Sequence, residues 1–178
     1  MNSELAIQRT ERADQDATLD LYGRAFPEEE LRPLVQDLLQ LPEDDVFSLT
    51  AVKGGKIIGH IAFTICGLAE DEDARTALLG PLAIDPDYQR QGIGRALQQA
   101  GFDRLVELDI RTVCVLGDPA YYGRLGFKAE LGIKPPYPIP EEWASAWQSL
   151  NLTGGERCSL PGTLTVPEPW QNPALWGR

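Results

Sequence analysis

The sequence predicts an α+β fold in which strands and helices are interleaved, and three observations carry that prediction. Val46–Val52, Ile57–Ile65 and Ala77–Ile84 are β-branched, strand-like runs. Asp14–Phe26 and the stretch from Ile93 carry apolar residues at helical spacing. The period also changes from strand to helix at a single place, Gly92, within one continuous segment.

Taken in order, Leu5–Arg9 alternates like an edge strand, and Ala17, Leu21 and Ala25 then mark a helix. Pro27 with Glu28, Glu29 and Glu30 reads as the first turn of a second helix, where proline and carboxylates suit the unpaired N–H groups and the dipole. Leu31, Leu34, Val35, Leu38 and Leu39 form its apolar face. Val46–Val52 and Ile57–Ile65 join through Lys53-Gly54-Gly55-Lys56, whose glycines supply the positive φ of a tight hairpin. Asp71, Glu72 and Asp73 read as a charged turn before the run Ala77–Ile84, which Pro86 stops. From Gly92, the residues Ile93, Leu97, Ala100, Gly101, Leu105 and Leu108 give a helix of about four turns. Arg111–Leu116 is a strand, and Pro119–Arg124 is a short helix closed by Gly126. Beyond Phe127 the chain is proline-rich, with a helical turn expected over Glu141–Leu150 and a short strand between Arg157 and Val166.

Size and composition place these elements in one folding unit. A chain of 178 residues, 43% apolar and 24% charged, has one real core available to it. The expectation is a single domain over residues 1–178, with its core at about 3–130 and a proline-rich extension over 131–178 that is too poor in apolar residues for a core of its own. Sixteen basic against 27 acidic residues leave a net charge of −11. That balance speaks against nucleic acid or an anionic membrane as partner and favours solubility or cationic partners. Met1–Asp14 has scattered charges and no apolar stretch like that of a secretory signal, and no 18-residue apolar run occurs. Cys66, Cys114 and Cys158 are odd in number, without metal-like spacing, and read as small buried side chains. A reducing cytoplasm is the expected location, and no metal is assigned.

The segment that carries chemistry is Gly80-Pro81-Leu82-Ala83-Ile84-Asp85-Pro86-Asp87-Tyr88-Gln89-Arg90-Gln91-Gly92-Ile93-Gly94-Arg95. It reads strand, short loop, glycine turn, helix. A helix N-terminus exposes unpaired N–H groups and the positive end of its dipole, and glycines let a ligand approach them, so the expected guest is a phosphate or pyrophosphate. The Walker pattern would need GK[ST] after four spacers, and the dinucleotide fingerprint would need a glycine where Leu97 stands. A nucleotide-binding module built on Gly92 and Gly94 is therefore disfavoured.

Gln89-Arg90-Gln91-Gly92-Ile93-Gly94 resembles the [QR]-x-x-G-x-[GA] pyrophosphate loop of the GNAT superfamily of N-acetyltransferases, and it follows a strand ending in Asp85-Pro86 as that family's does. Tyr122-Gly123-Arg124-Leu125-Gly126-Phe127 resembles the family's second signature, Y-x-x-x-G-F, and that spacing selects Tyr122 over Tyr121. Val115-Leu116-Gly117-Asp118-Pro119-Ala120-Tyr121-Tyr122 is similar to a bacterial subgroup of predicted acetyltransferases, although many members have an asparagine ahead of the tyrosine where Val115–Asp118 stands here. The likeness runs over roughly Leu5–Glu130.

The resemblance implies a central, mostly antiparallel sheet splayed at its fourth strand, flanked by helices. It implies acetyl-CoA as acyl donor and an amine acceptor, small molecule or protein, that attacks the thioester directly. Leu82 and Ile84 would pair with the pantetheine through their backbones, and a backbone N–H near Ala83 or Ile84 would meet the oxyanion. Gln89, Arg90, Gln91, Gly92, Ile93, Gly94 and Arg95 would hold the pyrophosphate, with Arg90 and Arg95 offering charge. Tyr122, protonated at neutral pH, would be the general acid for the departing thiolate. No general base is assigned. Glu28–Glu30 border the family's acceptor region but fit a helix start, and His60, the lone histidine, fits a structural place in its strand. A non-catalytic acyl-CoA-binding or sensing domain, or transfer to a non-amine acceptor, would leave the same donor motifs. A monomer or homodimer is expected.

Overall fold

The computed structural model describes residues 4–154 and 161–177. Among the described residues nine strands form a mixed, mostly antiparallel sheet with helices beside it. The chain gathers into two compact units, Met1–Phe63 with Gly80–Arg104 and Thr64–Leu79 with Leu105–Arg178, so that two long strands contribute one part to each.

In the first unit, β1 (Ala6–Arg9) pairs antiparallel with β2 (Val46–Lys53), from Ala6↔Val52 to Arg9↔Leu49. Gly54 and Gly55, at φ +59° and +76°, turn β2 into β3 (Lys56–Leu68), the double positive φ that a two-residue hairpin of this hand demands. Helix α1 (Gln15–Ala25) buries Thr18, Leu21 and Tyr22, and α2 (Arg32–Gln40) buries Leu34, Val35 and Leu38. These faces meet Ala83 of β4 (Asp71–Ile84) in one cluster of Leu21, Tyr22, Val35 and Ala83. Helix α3 (Ile93–Glu107) sets Ile93, Leu97 and Gly101, spaced by four, onto β3. A Cβ on Gly59 would lie 3.0 Å from Leu97 and 3.1 Å from Ile93, and one on Gly101 would lie 2.0 Å from the Phe63 ring.

In the second unit, β4 runs parallel to β5 (Thr112–Leu116) at Ala77↔Val113 and Leu78↔Cys114. That register ends before Pro81, which has no N–H to give a ladder. After β5 come α4 (Pro119–Tyr122) and the short strands β6 (Lys128–Ala129) and β7 (Ile133–Lys134). β8 (Trp147–Asn151) pairs antiparallel with the whole of β5 and with β6. β9 (Gly162–Thr165) pairs with β3 at Gly67 and Leu68 and in parallel with β7. Trp147, Trp170 and Trp176 pack together, with Trp176 5.8 Å from each of the other two rings. The indole of Trp170 donates to Thr64 Oγ1 at 3.0 Å.

Three local expectations are corrected. Residues 27–30 form a turn and α2 begins at Arg32, because Pro33 rather than Pro27 occupies the first helical turn. Asp71–Asp73 open β4 instead of preceding it, the hairpin turn falling on Ala69-Glu70. Glu141–Leu150 is not one helical turn: a 3-10 stretch covers Glu141–Ala146, and Trp147 onward is strand, drawn out by β5. The strand expected between Arg157 and Val166 is found at Gly162–Thr165; its first part and Cys158 lie outside the described residues.

Candidate active site

The end of β4 leads into the glycine turn. Ala83 is buried against α1 and α2, whereas Leu82 and Ile84 alternate to the other face and are half-buried. Thus Ala83, not its neighbours, is the core side chain here. Asp85 is only 2% exposed. Its N–H donates to the Ile58 carbonyl at 2.8 Å, and its Oδ1 accepts from the Asp87 N–H at 3.0 Å, capping the 3-10 turn Pro86–Tyr88. Asp85 Oδ2 meets Arg24 at 3.1 Å and Lys56 at 3.3 Å. Burial pushes this carboxyl up, but the Asp87 N–H and the Lys56 and Arg24 cations outweigh it and hold the pKa below its ordinary value.

Past Tyr88 the backbone reverses. The Gln89 amide donates to the Ile84 carbonyl at 3.4 Å. Arg90 and Gly92 take positive φ, +63° and +80°, with Gln91 between them, an alternation that turns successive N–H groups toward one side and favours anions. A side chain at φ > 0 is costly outside glycine, and such strained residues gather at functional sites. No atom lies within 4 Å of where a Gly92 Cβ would stand. The Gly92 carbonyl accepts from Ala96 N at 3.0 Å, so α3 starts here, and the first N–H groups of a helix lack intrahelical acceptors. Ile93 is buried, Gly94 half-buried, and Gln89, Arg90, Gln91 and Arg95 exposed. The turn therefore offers backbone donors, the helix dipole and two exposed cations on one short stretch.

Tyr122 belongs to the second unit. Asp118 caps α4 by accepting from Ala120 N at 2.9 Å, and the turn closes at Gly126, φ +98°. The Tyr122 ring packs edge-on against Phe127 at 5.4 Å and Tyr121 at 4.9 Å, and it lies over Gly117, where a Cβ would be 2.4 Å from Cε2. Gly117 is itself held by β8 and the turn before it: its N–H donates to the Ala146 carbonyl at 3.0 Å, and its carbonyl accepts from the Gln148 amide at 3.1 Å. Tyr122 is 9% exposed against 40% for Tyr121. Burial, with the neighbouring Tyr121 a lesser cause, raises its pKa above the ordinary value, so the phenol keeps its proton at neutral pH.

The other titratable candidates are quiet. His60 is fully buried, its Nδ1 2.8 Å from the Tyr22 hydroxyl, and burial lowers its pKa to about 3. Glu30 pairs bidentately with Arg32 and accepts from its N–H, which lowers the Glu30 pKa to about 2. Glu28, Glu29 and Glu30 line a cavity of about 260 Å³ with Gly23, Phe26, Pro27 and Arg32. Burial holds the Cys66 thiol protonated. Asp85 and Gly117, which the structure places beside the glycine turn and beneath Tyr122, do not stand out in the sequence. A carboxylate just before a glycine turn is visible there, but its burial is not, and its partners Arg24 and Lys56 lie 61 and 29 positions upstream.

A strand, an amide-rich turn and a helix in this order, within a mixed sheet, make an anion-accepting arrangement, and residues 15–127 match the family described as Acetyltransferase (GNAT) family. The chain belongs to the GNAT family of acetyltransferases, and is thereby an acyltransferase. It is 36% identical over 174 residues to the protein named "Uncharacterized N-acetyltransferase YjhQ" of Escherichia coli (strain K12), covering 88% of this chain and 94% of that one. Among solved structures it is similar to the GNAT family N-acetyltransferase YhbS of Escherichia coli in complex with CoA, at 28% identity and a TM-score of 0.84, covering 96% of this chain and 93% of that chain. It is also similar to a GNAT family acetyltransferase of Brucella melitensis in complex with acetyl-CoA, at 25% identity and a TM-score of 0.73, covering 94% and 98%. Among the described residues no helix is long and apolar enough to cross a membrane.

Proposed function

We propose that the protein transfers an acetyl group from acetyl-CoA to an amine, small molecule or protein-borne, by direct attack in a ternary complex. The observation that carries this reading is the Arg90–Gly92 alternation of positive φ at the start of α3, a backbone conformation suited to a pyrophosphate. The CoA and acetyl-CoA bound to the YhbS and Brucella proteins support the identity of the donor.

Gln89, Arg90, Gln91, Gly92, Ile93, Gly94 and Arg95 hold the pyrophosphate, largely through N–H groups, with Arg90 and Arg95 screening its charge. The backbone of Leu82 and Ile84 pairs with the pantetheine, and an N–H near Ala83 or Ile84 stabilises the oxyanion. The amine nitrogen adds its lone pair to the thioester carbonyl. The tetrahedral oxyanion then collapses, the C–S bond breaks, and Tyr122 donates its proton to the sulfur. Because a tyrosine pKa at or above 10 exceeds the thiol's ordinary value of about 8.5, Tyr122 releases that proton only as negative charge builds on sulfur. The surplus proton of the acceptor nitrogen, passed through water, restores the phenol. A net charge of −11 favours the approach of cationic amines, which lose a proton to water before the nitrogen lone pair can attack.

Calorimetric titration with acetyl-CoA and, separately, ATP tests the donor reading: saturable binding of acetyl-CoA alone is expected, and binding of ATP alone or of neither would overturn it. With a working acceptor found by screening amines, Tyr122→Phe is expected to lower turnover on the order of 100-fold while leaving acetyl-CoA affinity nearly unchanged. Unchanged turnover at saturation would assign the proton to another donor.

A further inference from the structure

Deepening the donor reading above, we propose that the β2–β3 hairpin tip and the end of α1 form a clamp, centred on Asp85, that holds the glycine turn in its anion-accepting conformation.

Every contact of the clamp lies at the entrance to the turn. Asp85 Oδ1 fixes the Asp87 N–H, and Oδ2 is gripped by Arg24 from α1 and Lys56 from the hairpin. The other end of the 3-10 turn is gripped too: Lys53 Nζ and Lys56 Nζ lie 6.0 and 5.8 Å from the centre of the Tyr88 ring, within cation–π range. Lys56 therefore holds both Asp85 and Tyr88, one residue before Gln89. Gly54 and Gly55, at positive φ, make the reversal that puts Lys53 and Lys56 at its two ends. The backbone closes the arrangement, with Asp85 N–H on the Ile58 carbonyl and Tyr88 N–H on the Asp85 carbonyl, both at 2.8 Å.

The turn needs such support from outside itself. Arg90 sits at positive φ without being glycine, a conformation that persists only when its surroundings fix it. Gln89 and Gln91 are exposed, and Gly92 has no neighbour where a side chain would be. A buried carboxylate without a cation would also repel an arriving polyphosphate, and with one cation it would only be neutral. Asp85 has two, so the cluster stays cationic. Asp85, Lys56 and Arg24 are thus positioning residues: they shape the backbone that meets the donor and need not touch it.

The test joins amide hydrogen exchange of the ligand-free protein with calorimetric titration by acetyl-CoA, on Asp85→Ala and on the surface variant Lys56→Met. Exchange at the bonded amides that bracket the turn, Tyr88 N–H on the Asp85 carbonyl and Ala96 N–H on the Gly92 carbonyl, is expected to quicken at least tenfold in Asp85→Ala and severalfold in Lys56→Met, while α2 and β2 keep wild-type protection. Acetyl-CoA affinity is expected to fall about tenfold and about threefold, and Lys56→Arg to restore both quantities. Wild-type exchange at Tyr88 and Ala96 in both variants would overturn the clamp, as would protection lost evenly across the protein. Quickened local exchange in a protein that never binds acetyl-CoA would uphold the clamp and sink the donor reading instead.

Discussion

The glycine turn at Gly92 and the tyrosine seat at Gly117 both depend on a glycine, for opposite reasons. Around Gly92 nothing lies within 4 Å of a virtual Cβ, and the residue is glycine because its φ is +80°. Around Gly117 the backbone is ordinary, and the residue is glycine because the Tyr122 ring fills the space, 2.4 Å from that Cβ. In the first region the chain shapes its backbone and leaves room for something else. In the second it spends the room on its own side chain. A substitution at the seat should therefore unseat Tyr122 and destabilise the fold, whereas one at the turn should spare the fold and strike a ligand.

Gly117→Ala is expected to have the largest effect on the protein itself. The Tyr122 ring is boxed by Phe127 and Tyr121 and cannot yield to a methyl without repacking. Overpacking of this kind costs about 3 kcal/mol, which for a chain of this length is a fall in Tm of roughly 6–12 °C. Turnover should drop as far as in Tyr122→Phe, since the phenol is displaced rather than removed. A calorimetric scan showing wild-type Tm would mean the ring has slack that the packing does not suggest.

Gly92→Glu inverts the pattern. A side chain at that φ costs only about 1–2 kcal/mol, so Tm should fall by a few degrees. A carboxylate placed against a pyrophosphate site should weaken acetyl-CoA binding on the order of 100-fold or more. If affinity survives, the turn is not where the donor's phosphates lie, and the contrast with Gly117 loses its functional half.

The contrast also explains what could be seen in advance. The glycine turn, α3 and the β2–β3 hairpin were legible because their causes are local: Gly54, Gly55 and Gly92 meet a backbone demand, and Ile93, Leu97 and Gly101 repeat at helical spacing. β8 was not legible, because its cause is a partner. Trp147-Gln148-Ser149-Leu150-Asn151 has no β-branched residue, and it is a strand because β5 lies beside it. Its buried polar residues look wrong for a core strand until Gln148 is seen to serve Gly117 and Ser149 to bond Glu130. Likewise Tyr122 was visible from its spacing to Gly126-Phe127, while its seat, Gly117, was one glycine among seventeen. The acidic run at Glu28–Glu30 misled for a related reason, since two prolines competed for one helix start and only tertiary packing of Leu34, Val35 and Leu38 chose Pro33.

The smallest predicted effect concerns neither glycine but the core beneath β4, where Tyr22 packs on Ala83 and bonds His60. His60 is neutral in the fold because burial lowers its pKa to about 3, against an ordinary value of about 6.5. Between those values the unfolded chain binds a proton that the native protein refuses, so stability is full above pH 6.5 and declines as pH falls. The slope is on the order of 1 kcal/mol per pH unit. Asp85, Glu30 and Glu70 have depressed values, so their stabilisation is lost only at more acid pH, below about 4.5. The interval from pH 6.5 to 5 therefore isolates His60, the one histidine of the chain. Urea midpoints measured across it should fall steadily for the wild-type protein and stay level for His60→Gln, whose amide carries no titrating proton. A wild-type profile as level as the variant's would mean that the imidazole is hydrated and titrates freely, and that the packing of Tyr22 against β4 is looser than the contacts describe.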